Sequence, residues 1–389
     1  MKLLTFIAAL VLAHATLANA QPSGEEREAE KPVPTDEQIQ QWITQLGDED
    51  FQTREAAQTL LIDSGHSAYF ALAANPLPKD AETRERLKRV RTALEMNAVE
   101  DLRNVGAHFG RRDDAHESMG VRKFNRLAIN KRPIKEDQLA PLVCLPHLEL
   151  VSIKNAQISD DALIYLDHLS SLKVLTLYNT PITDEGLITI TTVTELESLD
   201  LTNTQVTSEG IKALEHCERL SDLSLSYTSI DGTGLANLFP LRNRLERLHL
   251  EGTRLTDDDL KHLSEFRKLK TLRLNFTNVR GPGLAHISGL PNLESLLLQG
   301  VELDEEMLVH IAKLPNLERL YLRDTGVSVQ GLRLLMTCRK LTSVSVSENA
   351  VTEQEVNELQ DQFDMRNGVS DLRVDRRRGQ LPRLFSKEG

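Results

Sequence analysis

From Phe124 to Leu341 the chain repeats one arrangement of apolar and polar positions. Phe124-Asn125-Arg126-Leu127-Ala128-Ile129, Leu148-Glu149-Leu150-Val151-Ser152-Ile153 and Leu172-Lys173-Val174-Leu175-Thr176-Leu177 open the first three copies. The others begin at Leu196, Leu220, Leu245, Leu269, Leu293, Leu317 and Leu341. The step is 24 residues throughout, except from Leu220 to Leu245, where it is 25. Chance does not hold such a frame over ten units, so the chain is a repeat architecture. In each unit the L-x-L core predicts a period-2 strand with one buried face. A turn follows, as in Asn179-Thr180-Pro181-Ile182-Thr183-Asp184, and then a helix, as in Gly186-Leu187-Ile188-Thr189-Ile190. One unit cannot bury its own leucines, so units must stack. Parallel strands roughly 4.8 Å apart then form an arc on the order of 45 Å long, and the wider helices put the sheet on the concave side. The expected fold class is an α/β solenoid: a horseshoe with a parallel concave sheet and convex helices, preceded by a small all-α module.

That module is expected over residues 36–97. Ile39, Trp42, Ile43 and Leu46 follow helical spacing. A second helix opens at Asp50 with Leu60, Leu61 and Ile62 inside and Gly65 at its end. A third covers Ala68 to Ala73. A fourth starts at Asp80 with Leu87, Val90 and Leu94 inward, and its arginines and lysine interleave with acids as on a solvated, salt-bridged face. Ahead of the module, Lys2, the apolar run Leu3 to Leu12 and Ala18-Asn19-Ala20 have the three-part layout of a secretory signal peptide over residues 1–20. The first cysteine is Cys144, so no lipidated cysteine sits at the cleavage point. Residues 21–35 predict a disordered linker. The expected location is exported, periplasmic or secreted.

Two resemblances add to this reading. Gln45-Leu46-Gly47-Asp48-Glu49-Asp50-Phe51, Thr53-Arg54-Glu55-Ala56-Ala57, Leu61, Gly65 and Glu82-Thr83-Arg84-Glu85-Arg86 resemble the HEAT-like helical module of exported bacterial repeat proteins, which implies packing or docking rather than chemistry. The repeats resemble leucine-rich repeats of the cysteine-containing type. Thr180-Pro181-Ile182-Thr183-Asp184-Glu185-Gly186-Leu187 and Thr204-Gln205-Val206-Thr207-Ser208-Glu209-Gly210-Ile211 are the clearest copies, and Thr228, Thr253, Thr277 and Thr325 hold the same first place. Val301 and Asn349 depart from it, as do Arg132 and Ala156 in the first two units. The resemblance implies protein–protein contact. The Thr column is expected to be structural, its hydroxyls bridging to the backbone of the neighbouring turn.

Residues 98–123 are expected to cap the solenoid, with Val105 and Phe109 on the first repeat. The repeats should run over 124–363, with Val356 and Leu359 in the last helix. Residues 364–389 should form a closing strand, Val369 to Val374, and a basic tail. Cys144 and Cys217 lie three repeats apart, roughly 14 Å along the stack, too far for a disulfide, so Cys144, Cys217 and Cys338 are expected to be buried thiols. His262, His286 and His310 hold one helical position in successive repeats. Zinc takes three or four ligands, and no cysteine or carboxylate shares that column, so no metal site is expected. No nucleotide-binding, metalloprotease or nucleophile-elbow motif occurs, and neither a catalytic residue nor a cofactor is expected. Asn275-Phe276-Thr277 is a glycosylation sequon that should be silent in a bacterial chain.

Charge narrows the partner. With 58 acids against 46 bases and a net charge of −12, the chain is a poor binder of nucleic acid. No apolar run in the body approaches the ~20 residues of a membrane span. The third, fifth, seventh and eighth places of each unit should point out from the concave sheet. Units three to five carry small polar residues there: Thr176, Ser198, Thr202, Ser224 and Ser226. Units six to nine carry Arg247, His249, Glu251, Arg273, Phe276, Leu297, Arg319, Tyr321 and Arg323. Arginine and aromatics dominate binding hot spots, so Arg247, His249, Arg273, Phe276, Leu297, Arg319, Tyr321 and Arg323 are the expected contact surface for a protein with an acidic face. The leading expectation is a non-enzymatic exported binding scaffold. The alternatives are a cell-envelope or carbohydrate-binding protein, against which the single Trp42 counts, and an accessory or inhibitor subunit of an exported enzyme.

Overall fold

The computed structural model describes residues 34–74, 78–111, 124–130 and 133–347, with shorter pieces at 352, 354–355, 357–359, 361–362 and 373–375. The expected signal peptide, the linker up to residue 33, Val356 and the basic tail from 376 lie outside the described residues.

Four helices come first: α1 (Asp36–Gln45), α2 (Phe51–Asp63), α3 (His66–Ala74) and α4 (Ala81–Asn104). Three starts are fixed by side-chain caps, which satisfy backbone N–H groups that a helix leaves open. Thr35 and Gln38 form a reciprocal capping box on α1. Asp50 accepts from Thr53 N and Oγ1, both at 2.8 Å, and Asp80 accepts from Thr83 N and Oγ1, both at 2.7 Å. Ile39, Leu46, Ala57, Leu61, Leu72, Leu87, Val90 and Leu94 close around one small core. Leu60, expected inside, is exposed, because the inward line of α2 runs through Ala57 and Leu61 and turns residue 60 outward. Arg86, expected on a solvated face, is 7 % exposed. It bonds Glu55 at 2.6 Å and Glu82 at 3.3 Å, and its guanidinium lies over the Phe51 ring. Arg91 donates to the Leu72 carbonyl, tying α4 to α3.

Helix α4 runs through the expected boundary at residue 97. Its first buried residues, Leu87, Val90 and Leu94, belong to the small core, while Ala98, Val99 and Leu102 belong to the core of the repeats. One rigid element is therefore shared by both cores. Helix α3 adds an edge-to-face contact, with the Phe70 and His168 ring centroids 4.4 Å apart.

The repeats form a single sheet of twelve described strands in sequence order. Strand β1 (His108–Arg111) pairs antiparallel with β2 (Phe124–Asn130) and covers the edge that the parallel stack would expose. Val105 and Phe109 pack on the repeat core as expected. The parallel ladder continues through β3 (Leu150–Lys154), β4 (Val174–Thr176), β5 (Ser198–Asp200), β6 (Asp222–Ser224), β7 (Arg247–His249), β8 (Thr271–Arg273), β9 (Ser295–Leu297), β10 (Arg319–Leu322) and β11 (Ser343–Val346), and closes with β12 (Arg373–Asp375). Strands β2 to β11 are the ten predicted units in the predicted frame. Leu175, Leu199, Leu223, Leu248, Leu272, Leu296 and Leu320 stack as one buried column, each at most 1 % exposed. Each such leucine contributes roughly 1.5–3 kcal/mol, available only when neighbouring units cover it.

The convex side mixes α-helical and 3₁₀ turns. Asp160–Leu166, Gly210–His216 and Asp257–Leu263 are 3₁₀, whereas Asp184–Ile190, Gly232–Asn237 and Val329–Leu334 are α. A 3₁₀ turn rises more per residue, so a unit of 24 residues can span its outer face with few of them. The extra residue of the unit that begins at Leu220 lies between Leu241 and Leu245, where Leu245 N bonds the carbonyl four residues back instead of three as at Leu220; just before it Arg242 lies over the exposed Phe239 ring at 4.0 Å.

The turn motif has two separate functions in the stack. Thr180, Thr204, Thr228, Thr253, Thr277 and Thr325 each donate Oγ1 to the carbonyl three residues earlier, at 2.6–2.8 Å. The bond is thus to the residue's own strand end, not to the neighbouring turn, because the turn folds back on the strand it leaves. The contact between units is made by acids. Asp160 accepts from Thr183 N and Oγ1, and Asp184 accepts from Thr207 N at 2.7 Å and Oγ1 at 2.6 Å. Each carboxylate caps the next unit's helix start and sits where the next unit has glycine. A Cβ on Gly210 would lie 2.2 Å from Asp184 Oδ1.

Candidate binding surface on the concave sheet

Strand register brings the sequence-predicted residues together. His249, Arg273, Leu297 and Tyr321 are successive partners across β7 to β10 and form one row. Arg247, Thr271, Ser295 and Arg319 form the row beside it. Backbone bonds past the strand ends align Glu251, Asn275, Gln299 and Arg323 as a third. At about 4.8 Å per strand the patch is roughly 14 Å long.

The arginines are set in acids. Arg247 Nε lies 2.7 Å from Asp222 Oδ2, Arg273 Nη1 3.9 Å from Glu251, and Arg319 3.8 Å from Glu294 and 3.1 Å from Glu318. Sequence reading passed over Asp222, Glu294 and Glu318. The repeat register carries the signal: the one 25-residue step makes Asp222 the strand partner of Arg247, and Glu294 precedes Ser295, the strand partner of Arg319. His249 is flanked by Arg247 and Arg273. Burial, then the Arg273 charge, pushes its imidazole down to about 4, against the opposing pull of Asp222 and Asp200. The ring is therefore neutral at physiological pH, and its buried Nε2 has no hydrogen-bond partner among the described residues. Arg273 Nε is in the same condition. Buried polar atoms are nearly always paired, so two adjacent orphans are unusual for one sheet face.

Phe276 occupies a different kind of place. The eighth position is a left-handed turn rather than sheet, with φ of 53–57° at Asn155, Asn179, Asn203, Tyr227, Phe276 and Asp324. Asparagine adopts this conformation readily and bulky residues do not. The first residues of the column form a ladder of side-chain amides, Asn155 to Asn130 at 2.9 Å, Asn179 to Asn155 at 2.8 Å and Asn203 to Asn179 at 2.6 Å. At Phe276 the ring instead fills the space that a side chain on Gly300 would need; a Cβ there would meet it at 2.4 Å. Phe276 is half-buried and lies at the rim of the patch, not on its floor.

The small polar units are self-contained. Thr202 Oγ1 bonds Asp200 at 2.6 Å and Ser224 Oγ at 2.7 Å. The sequon residue Asn275 is buried, donating to Glu251 and accepting from Gln299 N at 2.8 Å.

Other candidate chemistry is dispersed. The three cysteines are buried free thiols, pushed by burial up to about 12 for Cys144, about 11 for Cys217 and about 12 for Cys338. Among the described residues no group of three or more His, Cys, Asp or Glu is placed to hold a metal ion. An open depression of about 440 Å³ beside His262 is lined by Asp231 and Asp259, but both carboxylates already cap turns. Among the described residues no helix is long and apolar enough to cross a membrane.

Residues 194–214, which hold β5 and the turn after it, match the Leucine Rich repeat family. The fold is a leucine-rich-repeat solenoid. Internalin C2 of Listeria monocytogenes is similar, at 22% identity and a TM-score of 0.40 over 59% of this chain and 81% of that one. Internalin F of the same organism aligns at 17% identity and a TM-score of 0.39, over 66% and 87% of the two chains. A plant peptide hormone receptor, RGFR1, solved with RGF2, aligns at 16% identity and a TM-score of 0.36, over 61% of this chain and 46% of the receptor. No curated protein matches the chain.

Proposed function

We propose that this leucine-rich-repeat protein is a non-enzymatic, exported scaffold that captures a protein partner on the concave sheet of units six to nine. The observation that carries this reading is the change along one continuous sheet. Units three to five present small hydroxyls, of which Thr202 and Ser224 bond one another, together with Asp200 and Asp222, while β7 to β10 and the turn after β10 present Arg247, His249, Arg273, Leu297, Arg319, Tyr321 and Arg323 in register. Large amphipathic side chains on a rigid floor contact a partner with little entropy to lose. The partner is carboxylate-bearing where it meets Arg273, Arg319 and Arg323. The residue 36–97 module, HEAT-like by its motifs, braces the first repeats and leaves the patch open. Export rests on residues 1–20, whose layout is that of a signal peptide.

The test is capture of partner by immobilised full-length mature chain and by Arg273→Ala/Tyr321→Ala. Loss of capture with the melting temperature nearly unchanged supports the reading. Retained capture overturns it, because the substituted side chains stand at the centre of the rows.

A further inference from the structure

We infer that the concave patch recognises an extended, charge-ordered polypeptide segment that crosses the strands, with its basic end over β5–β6 and its acidic, apolar-bearing end over β8–β10. The inference rests on the binding reading above and adds the occupant's chemistry and direction.

Outward charge on the sheet is not uniform. The third, fifth and seventh places of β5 to β7 and their trailing turns carry three carboxylates, Asp200, Asp222 and Glu251, against one arginine, Arg247. The same places of β8 to β10 carry three arginines, Arg273, Arg319 and Arg323, and no carboxylate, although Glu294 and Glu318 at the neighbouring second places lie beside Arg319. The apolar pair Leu297 and Tyr321 lies inside the positive half. A uniformly acidic partner would set its carboxylates against Asp200, Asp222 and Glu251. Like charges facing one another across an interface are costly, so such a partner fits only half the surface. A segment with ordered charges meets opposite sign at both ends. Between the halves sits His249, half-buried and neutral, which adds no charge to either end.

The span sets the length. From β5 to β10 is five strand spacings, roughly 24 Å, which an extended chain rising ~3.3 Å per residue covers in about seven residues.

The experiment is selection of a random heptapeptide library on the full mature chain, followed by affinity measurement of selected peptides and of the same compositions with acidic and basic residues interleaved along the peptide. The expected result is Lys or Arg at one end, Asp or Glu with an apolar residue toward the other, and about tenfold weaker binding when the charges are interleaved. Selection on Arg319→Glu/Arg323→Glu should turn the acidic end basic and leave the other end unchanged, with folding monitored by circular dichroism. Peptides that need Arg273 and Tyr321 but are acidic throughout, or indifferent to order, overturn this inference and leave the binding reading standing. A library that yields no peptide dependent on Arg273 and Tyr321 overturns this inference, whereas the binding reading falls only if capture of the protein partner survives Arg273→Ala/Tyr321→Ala.

Discussion

Replacing Gly210 by alanine tests how the units are joined. Alanine at a glycine in a helical turn ordinarily stabilises by about 1 kcal/mol. Here the new Cβ would lie 2.2 Å from Asp184 Oδ1, 2.5 Å from its Cγ and 2.8 Å from its Cβ. The whole side chain must swing aside, and its bonds to Thr207 N at 2.7 Å and Oγ1 at 2.6 Å are lost. Bonds to a charged group are worth about 1.5–3 kcal/mol each when buried, and these are near the surface, so a net destabilisation of about 2 kcal/mol is expected. That corresponds to a fall in melting temperature of roughly 4–8 °C for a unit of this size. Urea and thermal unfolding by circular dichroism measure it. Two comparisons make the result specific. Gly289 has nothing within 4 Å of its added Cβ, so Gly289→Ala should be neutral or slightly stabilising. In an Asp184→Ala background the cost of Gly210→Ala should shrink by about 1 kcal/mol, since the carboxylate and its bonds are gone and only the Cβ at 2.8 Å remains to give way. Equal effects at Gly210 and Gly289, or full additivity with Asp184→Ala, would refute the carboxylate bridge between units.

Two further outcomes follow from burial. Cys144, Cys217 and Cys338, with thiols held near 11–12, should resist a thiol reagent at pH 8 in the native chain and react together once urea unfolds it; fast native labelling would contradict the packing. His66, His168 and His249 are all held below the ordinary imidazole value, chiefly by burial. Their neutral forms favour the fold, so stability is full above pH ~6.5 and falls as pH drops toward the folded value, about 4 for His249, which alone contributes on the order of 3 kcal/mol. The urea midpoint between pH 7 and 4.5 should therefore decline, and His249→Gln should flatten the slope; an unchanged slope in that variant would exclude His249 as its source.

The repeats could be read from sequence because a single spacing determines both which residues are buried and which are neighbours. Leu175, Leu199 and Leu223 are 24 residues apart, and that interval is also one strand step, so the rows of the patch followed from counting. Places where side chains reach across units were less visible. Asp184 looks like an ordinary helix-start acid until the next unit is laid on it. Thr180 bonds its own strand end because the turn closes sharply, which no spacing rule states. Arg86 reads as a surface charge, yet Glu55 and Glu82 come from two directions to pair it. Helix α4 shows no break at residue 97 because its apolar stripe continues while its neighbours change. The left-handed column was present as Asn155, Asn179, Asn203, Gly252 and Gly300, and the aromatics at 227 and 276 concealed it.

The most direct measurement of the proposed contact surface is photo-cross-linking in envelope extract, with the reactive side chain placed at Leu297 in one variant and at Thr176 in another. Both positions face out from the same sheet, one inside the arginine-rich rows and one among the small hydroxyls. A defined adduct at 297, absent at 176 and lost when Arg273 is replaced by alanine, is the expected result. Equal adducts at both positions, or one at 176 alone, would place the contact elsewhere and contradict it.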